Sequence, residues 1–119
     1  MTLPLVSGGA NGSTFTCNSD GTISVTRDCV IIAVAQAYYA IGFTTGDWLC
    51  TSISIDDSHA SRGADMASAS TCYQTIGTSY IGYVTAGQKI SLKVLNETGA
   101  RGVISYTPDA TFMRIGMLY

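Results

Sequence analysis

Charge is scarce in this chain. Lys, Arg, Asp and Glu make up 12% of the 119 residues, about half the ~25% of an ordinary globular domain. The six basic residues are scattered and the net charge is -2, so nucleic acid and anionic membranes find no basic patch to bind. There is one histidine, His59, and no Cys-x-x-Cys pair, which argues against a zinc site. Long hydrophobic runs are missing too. The longest, residues 29–43, is interrupted by Gln36 and falls short of the ~20 residues that a membrane helix needs, so no membrane insertion is expected. The opening Met1-Thr2-Leu3-Pro4-Leu5-Val6 has neither the basic n-region nor the long apolar h-region of a secretory signal. Helical signals are equally thin: residues 30–40 are rich in β-branched side chains and lack an N-cap box.

What the chain does have is apolar side chain, 46%, set in Ser, Thr and Gly. A domain with this much apolar side chain and so little charge is prone to association unless a specific assembly hides part of its surface, so an oligomer is expected. The length suits one domain with one core. Residues 1–12, with the Gly8-Gly9-Ala10-Asn11-Gly12 stretch, read as a linker or arm, and residues 13–119 as a single all-β sandwich. Short segments rich in Val, Ile, Thr, Tyr and Phe alternate with turn chemistry such as Asn18-Ser19-Asp20-Gly21, Ala86-Gly87-Gln88 and Thr107-Pro108-Asp109. The expected strands are 13–17, 22–26, 29–41, 49–55, 68–74, 79–84, 89–95, 101–106 and 111–119.

Two of these strands are apolar on both faces. In the ninth, Met113, Ile115, Met117 and Tyr119 share one face and Phe112, Arg114, Gly116 and Leu118 the other. Such an ending is expected to be a central, buried strand, because free termini are normally polar and fray. In the third, Val30, Ile32, Val34, Gln36 and Tyr38 share one face, and Ile31, Ala33, Ala35, Ala37, Tyr39 and Ile41 the other. One face of each strand belongs to the core and the second faces something else, expected to be another subunit. Tyr38, Tyr39, Met113, Ile115, Met117 and Tyr119 are the candidate interface residues. The seventh strand, by contrast, has a wet face: Ile90, Leu92 and Val94 point inward, Lys89, Ser91 and Lys93 outward.

Residues 56–70 show no period and are expected to form the longest exposed loop. Since recognition over a rigid sandwich is carried by loops, Trp48, Asp56, Asp57, His59 and Arg62 are the candidate ligand contacts. Ser58-His59 with Asp56, Asp57 and Asp65 holds the residue types of a hydrolytic triad, but sequence adjacency does not make the geometry. The same carboxylates suit calcium chemically without matching an EF-hand loop. No enzyme, cofactor or metal is expected. Asn11-Gly12-Ser13 and Asn96-Glu97-Thr98 match glycosylation acceptors and read as turns. Cys17, Cys29, Cys50 and Cys72 allow three disulfide pairings or none; buried free thiols are expected.

Three stretches, in order, resemble the trimeric jelly roll of the C1q and tumour-necrosis-factor-like superfamily. Residues 20–38 look like that family's strand, turn and long apolar strand, with Val30 or Ile31 replacing the usual aromatic. Residues 84–94, Val-Thr-Ala-Gly-Gln-Lys-Ile-Ser-Leu-Lys-Val, are similar to its "L-x-x-G-D-x-V-x-L-x-V", with Gln88 at the Asp. Residues 111–119 resemble its closing "F-x-G-x-L" strand, with Gly116 and Leu118 in place. The resemblance implies a jelly-roll β-sandwich assembled as a compact homotrimer, and a non-enzymatic structural or receptor-binding head that recognises a cell-surface receptor or glycan. No collagen-like repeat precedes it, and a stand-alone head of this kind also resembles the tips and decorations of bacteriophage fibres, displayed on a virion. The alternatives are a secreted or cell-surface adhesion module of the same fold and, more remotely, a hydrolase.

Overall fold

Alternating side chains along extended segments build two sheets from this sequence. The computed structural model describes residues 14–39, 48–66, 74–96, 104–105 and 111–119. The expected linker at 1–12 and most of the expected strand at 68–74 lie outside the described residues. The strands are β1 (Phe15–Cys17), β2 (Ile23–Val25), β3 (Cys29–Tyr39), β4 (Trp48–Ile55), β5 (Ser58–Met66), β6 (Gln74–Val84), β7 (Lys89–Asn96), β8 (Ile104–Ser105) and β9 (Phe112–Met117). The first sheet runs β1-β2-β7-β4-β5; in the second, β6 flanks β3 on one edge, and β8 and β9 follow one another along the other. Every pairing is antiparallel, and no helix occurs among the described residues.

The core lies between the sheets and is supplied by alternate residues. Ile31, Ala33, Ala35, Ala37 and Tyr39 of β3 meet Leu49 and Ile53 of β4 and Ile90, Leu92 and Val94 of β7, with the face assignments of β3 and β7 that their periodicity implied. Tyr39 spans the layers: its hydroxyl donates to the Cys50 carbonyl at 2.7 Å and lies 3.3 Å from Thr51 Oγ1, and burial pushes its pKa up to about 12. Tyr39 is therefore a core residue with no surface to offer a second subunit, unlike its expected interface role.

Three further expectations need correction. The expected loop at 56–70 is mostly a strand, β5, paired with β4 along its length. Its composition hides it because its inward positions must be small: β5 and β6 are the edges where the two sheets come together, Ser61 Oγ meets Thr78 Oγ1 at 2.5 Å, and a Cβ on Gly63 would stand 2.0 Å from the Gly77 carbonyl oxygen. A hydrophobic period is impossible where two backbones touch. The C-terminal strand is tied down as expected, with Val30 N donating to Tyr119 O at 3.1 Å and Leu118 N to Val30 O at 2.8 Å. Among the described residues, however, β9 pairs with β3 alone, and from Phe112 to Tyr119 none is fully buried. Met113 and Ile115 pack against the core from its margin, so β9 turns them inward, and its outward face is Phe112, Arg114, Gly116 and Leu118. Finally, Cys17, Cys29 and Cys50 are free thiols, but Cys17 is exposed rather than buried; Cys72 lies outside the described residues.

Gly63→Ala is expected to cost about 3 kcal/mol, since overpacking against backbone has no side chain to yield; urea unfolding of the variant measures it. With the described thiols free, reductant is expected to leave the melting temperature unchanged, whereas loss of a native disulfide costs about 2–5 kcal/mol, and calorimetry with and without dithiothreitol separates the two.

Candidate functional site

The β4–β5 connection is a two-residue hairpin. Ile55 pairs with Ser58, and Asp56 and Asp57 between them have φ of 50° and 66°, the left-handed pair of a type I′ turn, which Asp tolerates better than most side chains. Three contacts anchor this turn to β7. Asp56 N donates to Lys89 O at 2.9 Å, Lys89 N donates to Asp56 Oδ1 at 2.9 Å, and Lys93 Nζ bonds Asp57 Oδ1 at 2.8 Å. The Lys93 ammonium, by hydrogen bond first and charge second, holds the Asp57 carboxyl below its ordinary 3.8.

The β1–β2 turn stands beside it. Asp20 Oδ1 accepts from Thr22 Oγ1 at 2.6 Å and from Thr22 N at 3.0 Å, and these two bonds, the hydroxyl's the larger, lower its pKa. Asn18 Nδ2 braces the turn from behind, donating to Thr22 Oγ1 and Ser24 Oγ at 2.9 and 2.8 Å. Between the two turns and the start of β7 lies an open hollow of about 420 Å³, lined by Asp20, Thr22, Asp56, Asp57, Lys89 and Ser91. Its surroundings on the outer face of this sheet are rich in hydroxyls. Ser52, Ser54 and Ser91 are buried although they point away from the core, because short side chains in inner strands sink between the longer Lys93, His59 and Arg62.

The sequence candidates divide across this face. Asp56 and Asp57 line the hollow, His59 and Arg62 sit on the neighbouring edge strand, and Trp48 pairs with Met66 at the opposite end of β4, about 23 Å away at the rise of an extended strand. The five do not form one site. Ser58 and His59 do not make a hydrolytic pair either, because consecutive strand residues point to opposite faces. His59 Nδ1 instead bonds Ser52 Oγ at 2.5 Å, and Ser52 is 0% exposed, so that oxygen is out of reach of a substrate. Asp20, Thr22, Lys89 and Ser91 were missed. The Asn-Ser-Asp-Gly turn and the outward positions of β7 were both visible, but nothing in the chain shows that segments from residue 20 to residue 91 meet.

The other sheet presents the opposite chemistry. On its outer face Val34 is 44% exposed, Ile81 65% and Leu118 50%, with Tyr83 beside them, Val30, Ile32 and Tyr38 half-buried, and the Arg114 guanidinium 4.2 Å over the Phe112 ring. Met117 and Tyr119 are exposed at the same end of the sheet. Two antiparallel sheets in this order, closing on a C-terminal strand beside β3, match known structures. A crystal structure of murine APRIL at pH 5.0 superposes with a TM-score of 0.72 over 91% of this chain and 80% of that one at 14% identity. Eiger TNF from S. frugiperda gives 0.67 over 88% and 69% at 18% identity. The fold is the C1q/TNF-like jelly roll. At these identities the likeness speaks for the jelly roll itself; no protein-family model and no curated protein matches the sequence.

The lowered carboxyls carry a pH signature. Stabilisation from a depressed acid is complete above its ordinary pKa, here 3.8, and is lost as pH falls through the folded value. Both groups are exposed, so salt screens the effect. Asp57→Asn is expected to make the acid-side fall in urea midpoint shallower, and to do so less at high salt.

Proposed function

We propose that this jelly roll is a non-enzymatic binding head which associates with copies of itself as a homotrimer and displays the hairpin turns of its polar sheet to a surface receptor or glycan. The observation that carries the reading is the asymmetry of the two outer faces. A monomer does not ordinarily leave Val34, Ile81, Tyr83 and Leu118 together in water, and self-association is what the C1q/TNF-like resemblance implies. The interface then centres on these residues with Tyr38, and Met117 and Tyr119 lie at its rim, in place of Tyr39, Met113 and Ile115, which the core occupies. The polar face, with its carboxylates, amines and hydroxyls, is left free to bind a ligand.

Work outside the cell fits this reading. The likeness to APRIL and to an Eiger TNF favours a secreted or cell-surface ligand module over the phage or prophage head that the sequence also resembles. Among the described residues no helix is long and apolar enough to cross a membrane. Neighbouring genes for tail or capsid proteins would speak for the virion.

Light scattering at micromolar concentration is expected to return three times the subunit mass, and Val34→Asp with Ile81→Asp to reduce it to one, with strand content retained by circular dichroism. A wild-type mass of one subunit would overturn the proposal.

A further inference from the structure

We infer that the hollow between the β1–β2 and β4–β5 turns is a saccharide-binding site, taking a sugar ring through several of its hydroxyls at once. The inference deepens the binding-head reading and rests on it. It starts from Ser91, which is 3% exposed, points away from the core between Ile90 and Leu92, and lines the hollow. Among the described residues its hydroxyl has no side-chain hydrogen-bond partner. A hydroxyl out of water and without a partner is costly to leave so, and Ser91 lines the hollow, where a ligand oxygen would satisfy it.

The walls specify what that ligand is. Asp20, Asp56 and Asp57 each commit one oxygen, Oδ1, to the protein: Asp20 to Thr22, Asp56 to the backbone of Lys89, and Asp57 to Lys93. These bonds fix the three carboxylates and leave the second oxygen of each as an acceptor. Lys89 and Ser91, which also line the hollow, carry donors. A ligand must therefore donate to carboxylates and accept from an ammonium and a hydroxyl on the same small body, which is the pattern of vicinal hydroxyls.

Other chemistries fit worse. An anion meets three carboxylates. An apolar ligand meets no aromatic or aliphatic side chain in the lining. A metal ion needs ligands that converge, and among the described residues no three His, Cys, Asp or Glu side chains do. The volume of about 420 Å³ lies within the roughly 300–1,000 Å³ of small-molecule sites. Without an aromatic platform, affinity for a single sugar is weak, and copies of the head displayed together raise it through avidity.

The experiment is a titration of the full chain, isotopically labelled, with the methyl glycosides of glucose, galactose, mannose and N-acetylglucosamine up to tens of millimolar, followed by backbone amide shifts. At least one glycoside is expected to move the amides of Asp20, Thr22, Asp57, Lys89 and Ser91. Ser91→Ala and Asp20→Asn are each expected to weaken that binding about five-fold or more, while Asp65→Asn, at the far end of β5, leaves it unchanged. No shift with any glycoside overturns the inference. So does a glycoside whose binding neither variant affects, and so does calcium chloride shifting these amides where the sugars do not. The binding-head reading fails separately, on a subunit mass of one.

Discussion

The antiparallel ladder between β3 and β6 holds this molecule together. It runs unbroken from Cys29 opposite Val84 to Tyr39 opposite Gln74, and the free edge of β3 then takes β9 along residues 31–36 and β8 at Tyr38 and Tyr39. One strand thus supports three others. Its inward residues set the depth of the core: Ala33, Ala35 and Ala37 are short enough for the second sheet to settle close, and Tyr39 fills the remaining space at the end, bonded to the β4 backbone through its hydroxyl. A larger side chain at any of the alanines would push the layers apart, and the edge contact at Gly63 and Gly77 would open with them.

The same closeness explains the edge strand β5. Where two sheets meet at an edge, one side of the strand has room only for Ser61 and Gly63, and its other side is exposed. It is held by hydrogen bonds to β4 and by position, with little apolar burial of its own. The bulge between Ile53 and Ser54 shifts the register there, and His59 comes to lie over Ser52. What looked like a chemical motif in sequence is a polar seam that covers buried serines on a sheet surface.

The two outer faces differ in chemistry. The sheet containing β4 and β7 carries Lys, Arg, His, Asp and hydroxyls outward, and the sheet containing β3 carries Val, Ile, Tyr, Phe and Leu. Both follow from period-two alternation, since the inner residues of each sheet belong to one shared core and only the outer ones are free to differ. Scarce charge gathers at the turns that end the polar sheet, where β7 fixes the carboxylates of Asp56 and Asp57 and Thr22 fixes that of Asp20 within its own turn.

From sequence alone, the all-β class, the grouping of residues by face in β3, β7 and β9, the turn at Asp20-Gly21 and the anchored C-terminus were legible, because each is written in residues within one strand or one turn. The amphipathic period of Ile90, Leu92 and Val94 needs no partner to be read. Tertiary structure decided the rest. It made residues 58–66 a strand despite their composition, since pairing with β4 outweighs weak local propensity. It moved Tyr39, Met113 and Ile115 from the expected interface into or against the core, since alternation shows which residues share a face but not which face turns inward. It separated Trp48 from Asp57 and joined Asp20 to Ser91, since distance along a folded chain depends on which strands pair, and that choice is made by the core as a whole.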